Sequence, residues 1–221
     1  MESSQQALIL RRNKKYFAGI PRLTKDEINA RAAVCTAIEI ELIKLLNYME
    51  AEYRQSLDDF INNYGNFSDG LNRIYNIADD RALGESRSPF AQRFSELQRS
   101  SWNMLLPVTL RRLRLYEIAE ETAILWLFSA SRAERAARST TNSLYSCQKF
   151  EQLKQQGYKY KQWHTIMDGR ERDTHAIANG QTVPIDQPFI VGGFRMMFPR
   201  DMTYGAPLRE IINCRCSITG R

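Results

Sequence analysis

The sequence predicts an α+β protein with a mostly helical N-terminal body and a small C-terminal α+β module containing short strands. Three observations lead there. Apolar residues recur at three- and four-residue spacing through residues 24–150. After Gly157 the texture changes to short alternating runs such as "YKYKQWHTI". Glycines and prolines then punctuate the chain at Gly169, Gly180, Pro184, Pro188, Pro199, Gly205 and Pro207, as they do in a loop-rich module. A chain of 221 residues with 43% hydrophobic residues is long enough to bury a sizeable core. The expected division is a basic arm over 1–23, a helical body over 24–150 and the module over 151–221.

In the body, Thr24 stands three residues before Glu27, the spacing of a capping box. From there Ile28, Cys35, Ile38, Leu42, Leu45, Met49, Tyr53 and Phe60 predict one long amphipathic helix stopping at Gly65. Cys35 on that stripe reads as a small buried hydrophobe. A short helix after Ser68 follows, with Leu71, Ile74, Tyr75 and Ala78 on one side. Another covers about 90–105, its face made by Phe90, Phe94, Leu97, Trp102 and Leu105. Pro107 suits the first turn of a further long helix, broken near Ser129 to Ser131, with Leu110, Leu113, Ile118, Leu125 and Phe128 facing the core. In the module, Gly192-Gly193 predicts a hairpin turn between two β-like runs.

The net charge of +6 is unevenly placed. Residues 1–23 hold five cations and one acid, the body is near neutral, and 151–221 hold ten cations against seven acids. Basic ends suit phosphates or an acidic protein surface. Arg11, Arg12, Lys14, Lys15 and Arg138 are the candidate nucleic-acid or partner contacts. The opening has no secretory signal, and the longest apolar run, "AILWLFSA", is too short to span a bilayer, so no membrane partner is expected. A cytosolic origin favours thiols or thiolate ligands over disulfides for the four cysteines.

Two of those cysteines stand one residue apart in "IINCRCSI". If that stretch is extended, Cys214 and Cys216 share a face and offer two soft ligands, while a disulfide between them is disfavoured by Cα separation. A zinc site needs about four ligands, which makes His175, Cys214 and Cys216 the candidate set, with Asp168, Asp173 or His164 as fourth. Zinc is the one cofactor these residues suggest. The competing reading has the cysteines packed as small hydrophobes beside a structural network of Trp163, Asp168, Arg170, His175, Asn213 and Arg215. Catalytic readings draw on the same residues: a cysteine nucleophile with His175 and Asp168, or a metal-dependent nuclease using a histidine and Asp168. No Walker motif, dinucleotide fingerprint or nucleophile elbow is present, and no catalytic residue is assigned.

The ordered series Trp163, Asp168, Arg170, His175, Gly180, Phe189 with "GG", "FPRD", Glu210 and "INCRC" resembles the phage Mu F-like minor head proteins, also described as phage head morphogenesis proteins. The preceding "RAERAARSTTNSLYSCQKFEQLKQQG" resembles the helix leading into that domain, so the likeness spans about 132–218. Here Ala137, Arg138, Ser139 and Thr140 stand where the family has Ala-Arg-Thr-Glu, so no role carries over from that carboxylate. The resemblance implies a non-enzymatic role in head assembly, with the helical body docking to portal, major capsid or scaffold protein and with double-stranded DNA nearby. It implies location in the head interior of the virion after assembly and in the host cytoplasm before it. Relatives with toxin or enzyme domains carry them after this module, and none is expected past Arg221. The rival expectation is an enzyme built on Asp168, His175, Cys214 and Cys216, either a metal-dependent nuclease or an ADP-ribosyltransferase.

Overall fold

The computed structural model describes residues 2–85, 87–116 and 121–221. Eight helices come first: α1 (Glu2–Ala18), α2 (Lys25–Gln55), α3 (Leu57–Asn62), α4 (Tyr64–Leu83), α5 (Pro89–Asn103), α6 (Leu105–Tyr116), α7 (Glu121–Leu127) and α8 (Ala130–Gln155). The module then adds β1 (Tyr160–His164), α9 (Asp173–Ala178), β2 (Thr182–Pro184), β3 (Phe189–Val191), β4 (Phe194–Met196), α10 (Leu208–Ile211) and β5 (Ser217–Gly220). The α+β class is as the sequence predicts. Among the described residues, no helix is long and apolar enough to cross a membrane.

The Thr24 capping box forms: Thr24 Oγ1 accepts from the Glu27 amide at 3.2 Å, and Glu27 Oε2 accepts from the Thr24 amide at 2.7 Å. The single helix expected over 24–65 is instead α2, α3 and the start of α4. Ser56 adopts an extended backbone and its hydroxyl accepts from the Asp59 amide at 3.0 Å, so it ends one helix and caps the next. Gly65 lies inside the first turn of α4 and stops nothing. The break expected near Ser129 is present, with Ser129 capping α8 through the Arg132 amide. Leu97 and Leu125, expected in the core, are exposed. On α5 the inward stripe is carried by Ala91, Phe94, Ser95, Gln98 and Trp102, and beyond α7 by Leu127 and Phe128, which leaves both leucines on the solvent side. Ile118 lies outside the described residues.

α8 is the centre of the body. Thirteen of its residues are buried, and it packs on α2, α4 and α5 while also touching β5. α2 and α4 approach closely at Gly70, where an added Cβ would stand 2.9 Å from Leu45 Cδ1. Residues 2–18, expected as part of an arm, form a helix laid on α2, with Ile9 and Phe17 buried and Ile20 sealing the end.

In the module, β1 is the middle strand of an antiparallel sheet ordered β2-β1-β5, with Gln162 opposite Thr182 and Trp163 opposite Ile218. β3 and β4 form a separate hairpin. Its turn is Gly192-Gly193 with φ of 58° and 82°, the left-handed pair a two-residue hairpin requires. Module and body share one core. The Phe198 ring meets Phe94 at 5.0 Å, Phe150 at 5.6 Å and Phe90 at 6.1 Å. Arg200 Nη1 donates to Ser146 Oγ of α8 at 3.2 Å, and Ser217 Oγ donates to the Pro21 carbonyl.

Candidate functional site

Three module elements bring the predicted site residues together. α9 carries His175, the turn after α10 carries Cys214 and Cys216, and β1 brings Trp163 beneath them. The cysteines do not converge by sharing an extended strand, because β5 begins only at Ser217. Asn213 takes a left-handed backbone with φ of 57°, and the chain then folds so that the Cys216 amide donates to Cys214 Sγ at 3.5 Å. That turn buries both cysteines and leaves the intervening Arg215 side chain partly exposed.

Nδ1 of buried His175 lies 3.3 Å from Cys216 Sγ. Ligand atoms of His175, Cys214 and Cys216 all lie within 4.8 Å of one another, and they form the one group of three such donors among the described residues. On the other side of the imidazole, Nε2 stands 3.2 Å from Glu210 Oε2 without an aligned hydrogen bond. Glu210 is itself buried and accepts from Thr174 Oγ1 at 2.8 Å. Gly192 in the hairpin turn packs over that carboxylate: an added Cβ would lie 3.2 Å from Glu210 Oε1. Thr165 completes the surround. Its hydroxyl donates to the His175 carbonyl at 2.7 Å, accepts from Trp163 Nε1 at 3.0 Å and lies 3.4 Å from Cys216 Sγ.

The two thiols are unlike. Burial raises Cys214, but hydrogen bonding with Cys216, the charge of Arg200 and the proximity of His175 outweigh it, holding this thiol well below its ordinary range. Cys216 is raised by its hydrogen bond to Cys214 and then by burial. Arg200 is buried and has an unpartnered Nη2, so its charge is poorly neutralised by hydrogen bonds and favours an anion nearby.

The other predicted residues stand apart. Asp168 is not in the donor cluster: its carboxylate accepts from Arg215 Nη1 and Nη2, each at 2.8 Å, and from Arg170 Nη2 at 2.7 Å. These arginines, Arg215 first, hold its carboxyl well below the usual range. The predicted network of Trp163, Asp168, Arg170, His175, Asn213 and Arg215 therefore divides into the buried pair His175 and Trp163, a surface triad of Asp168, Arg170 and Arg215, and the exposed Asn213, whose backbone makes the turn. His164 turns its Nε2 to Thr219 Oγ1 at 2.8 Å, and Asp173 is exposed in the first turn of α9. Nothing in the sequence assigns a role to Glu210, Thr165, Thr174 or Arg200. Glu210 and Arg200 do lie in the motifs "EIINCRC" and "FPRD", but nothing in those motifs announces which histidine or thiol they face.

The proposed basic contacts also divide. Arg12 pairs with Glu39 of α2 and with Glu134 of α8 at 3.2 Å. Arg138 pairs with Glu134, donates to Asn13 Oδ1 at 3.1 Å and lies 4.4 Å over the Tyr16 ring. Both tie helices together. Arg11, Lys14 and Lys15 are exposed at helical spacing on one side of α1 and have no ion pair among the described residues.

Residues 83–219 match the family described as phage Mu protein F like protein. No curated protein and no solved structure matches the chain.

Proposed function

The chain belongs to the phage Mu F-like family of head morphogenesis proteins, and from that premise we propose that it is a non-enzymatic minor head protein docking to portal or procapsid interior. The observation that carries this reading is the extent of the match, residues 83–219, which begins at the end of α4 and takes in α5–α8 and the whole site. In this reading residues 24–150 act as the docking body and 151–221 as the module, with the positive side of α1 turned toward packaged DNA. Exposed apolar side chains on the body, Met104, Val108, Leu125 and Trp126 among them, support a protein partner.

The reading is tested by quantitative mass spectrometry of purified procapsids and mature particles, with portal protein as the copy-number standard. Low-copy presence in procapsids is expected. Retention in mature particles assigns it to the virion, loss assigns it to assembly, and absence from both overturns the proposal.

The DNA-facing part has its own test. Replacing Arg11, Lys14 and Lys15 together by glutamine is expected to flatten the dependence of log K on log salt for duplex DNA by up to about 3. Arg12→Gln and Arg138→Gln are expected to lower stability and leave that slope unchanged, because their charges are already spent on Glu39 and Glu134. An unaltered slope in the triple variant removes α1 from DNA contact.

A further inference from the structure

We propose that His175 Nδ1, Cys214 Sγ and Cys216 Sγ hold one zinc ion, with a water in the fourth position and Glu210 as the partner that orients the histidine. The proposal rests on the donor geometry and does not depend on the head reading.

Tetrahedral zinc takes thiolate sulfur at about 2.3 Å and imidazole nitrogen at about 2.0 Å, which sets donors roughly 3.5 Å apart. Nδ1 and Cys216 Sγ are already at 3.3 Å, and the widest separation in the set is within 4.8 Å. The backbone is already arranged for a bound thiolate, since the Cys216 amide points at Cys214 Sγ. Two sulfurs and one imidazole in a tetrahedral arrangement select zinc over magnesium, calcium or manganese, which take oxygen donors.

The outer surroundings are those of a ligating histidine. Such a residue hands its second ring N–H to a carboxylate, which fixes the ring and raises its basicity. Glu210 Oε2 stands 3.2 Å from Nε2, which is buried and otherwise without a hydrogen bond, and Thr174 holds the carboxylate in place. Charge is also accommodated. Two thiolates neutralise a divalent ion.

Asp168 does not supply the fourth donor, because both its oxygens are held by Arg215 and Arg170. Beside Cys214 and Cys216 lies a cavity of about 20 Å³ lined also by Thr165, Arg172 and Asn213. A water needs about 10–15 Å³, so there is room for one. The ion in this setting is a clamp. It ties α9 to the turn before β5, and β5 in turn rests on α8 and on Pro21.

The test uses the full chain purified in reductant, with zinc measured by inductively coupled plasma mass spectrometry and with cobalt(II) added to the metal-free protein. About one zinc per chain is expected, and cobalt is expected to give thiolate-to-metal charge-transfer absorption. Cys214→Ser and Cys216→Ser should lose both signals. Glu210→Gln should keep the thiolate absorption but bind zinc about 10–100-fold more weakly, and Asp168→Asn should bind as the parent does. Should the cysteine variants fail to fold, the cobalt spectrum and chelator competition of the unaltered chain still decide. Absence of thiolate–cobalt absorption in the unaltered chain, or its survival in both cysteine variants, overturns the assignment.

Discussion

Trp163→Ala is expected to lower the stability of the fold by about 3–5 kcal/mol, the range for removing a large aromatic from a closed core. Trp163 is fully buried near the end of β1. Its ring meets Phe189 edge-on at 5.3 Å and His175 at 5.9 Å, so it fills the space between the hairpin and α9. Truncation leaves a cavity that these rings, held by separate elements, cannot close together. It also removes the donor to Thr165 Oγ1, the hydroxyl that links β1 to the His175 carbonyl and lies against Cys216. Urea denaturation followed by circular dichroism measures the loss. Trp163→Phe separates the two contributions: it keeps most of the volume and loses the N–H, so it should cost about 1–2 kcal/mol. A cost below about 1 kcal/mol for the alanine variant would mean that the module is not organised around this residue.

Much of this arrangement can be read in the residues, and the failures have a common cause. The capping box at Thr24, the break at Ser129 and the Gly192-Gly193 turn are local signals, each satisfied by atoms a few residues away. The apolar spacing runs through Ser56 unbroken, with Tyr53 before and Phe60 after, and so hides the helix end there. Only its hydroxyl on the Asp59 amide shows that one helix has ended. The cations of α1 are conspicuous and suggest a solvated arm. Asn13 is an unremarkable residue until Thr36 and Glu39 of α2 and Arg138 of α8 are known to meet it. The site follows the same rule. His175, Cys214 and Cys216 are few and chemically distinctive, so composition alone brings them together as candidates. Glu210 is one of 25 acidic residues, and only the fold selects it as the one facing His175. Asp168 lies close to His175 in sequence, yet the turn that buries Cys214 and Cys216 leaves Arg215 to claim its carboxylate.

The second large effect is expected at Lys161, through pH. This side chain is buried on β1, donates to the Ile185 carbonyl at 2.9 Å and lies 4.5 Å over the Phe150 ring. Burial pulls its pKa down to about 7, with Asp201 and Asp186 opposing that shift and Lys154 adding to it. The unfolded chain keeps the ordinary lysine value near 10.4. Between these two values the unfolded state binds more protons than the folded one, so stability rises with pH through that window. Below pH 7 both states are protonated and the full penalty for a buried ammonium remains. The gain from pH 6.5 to pH 10 attributable to this lysine is expected to be about 3 kcal/mol, less than the full shift implies because the hydrogen bond to Ile185 and the two aromatic faces hold part of the charge. Lys161→Met keeps the length of the side chain and removes the charge. It should raise stability at pH 6.5 by about 1–3 kcal/mol and abolish that rise. Chemical denaturation of both proteins at several pH values between 6 and 10 reads the difference directly. Parallel curves would mean that Lys161 stays protonated in the folded protein throughout, and that the body and module are joined at Phe150 by a cation held against its aromatic neighbours.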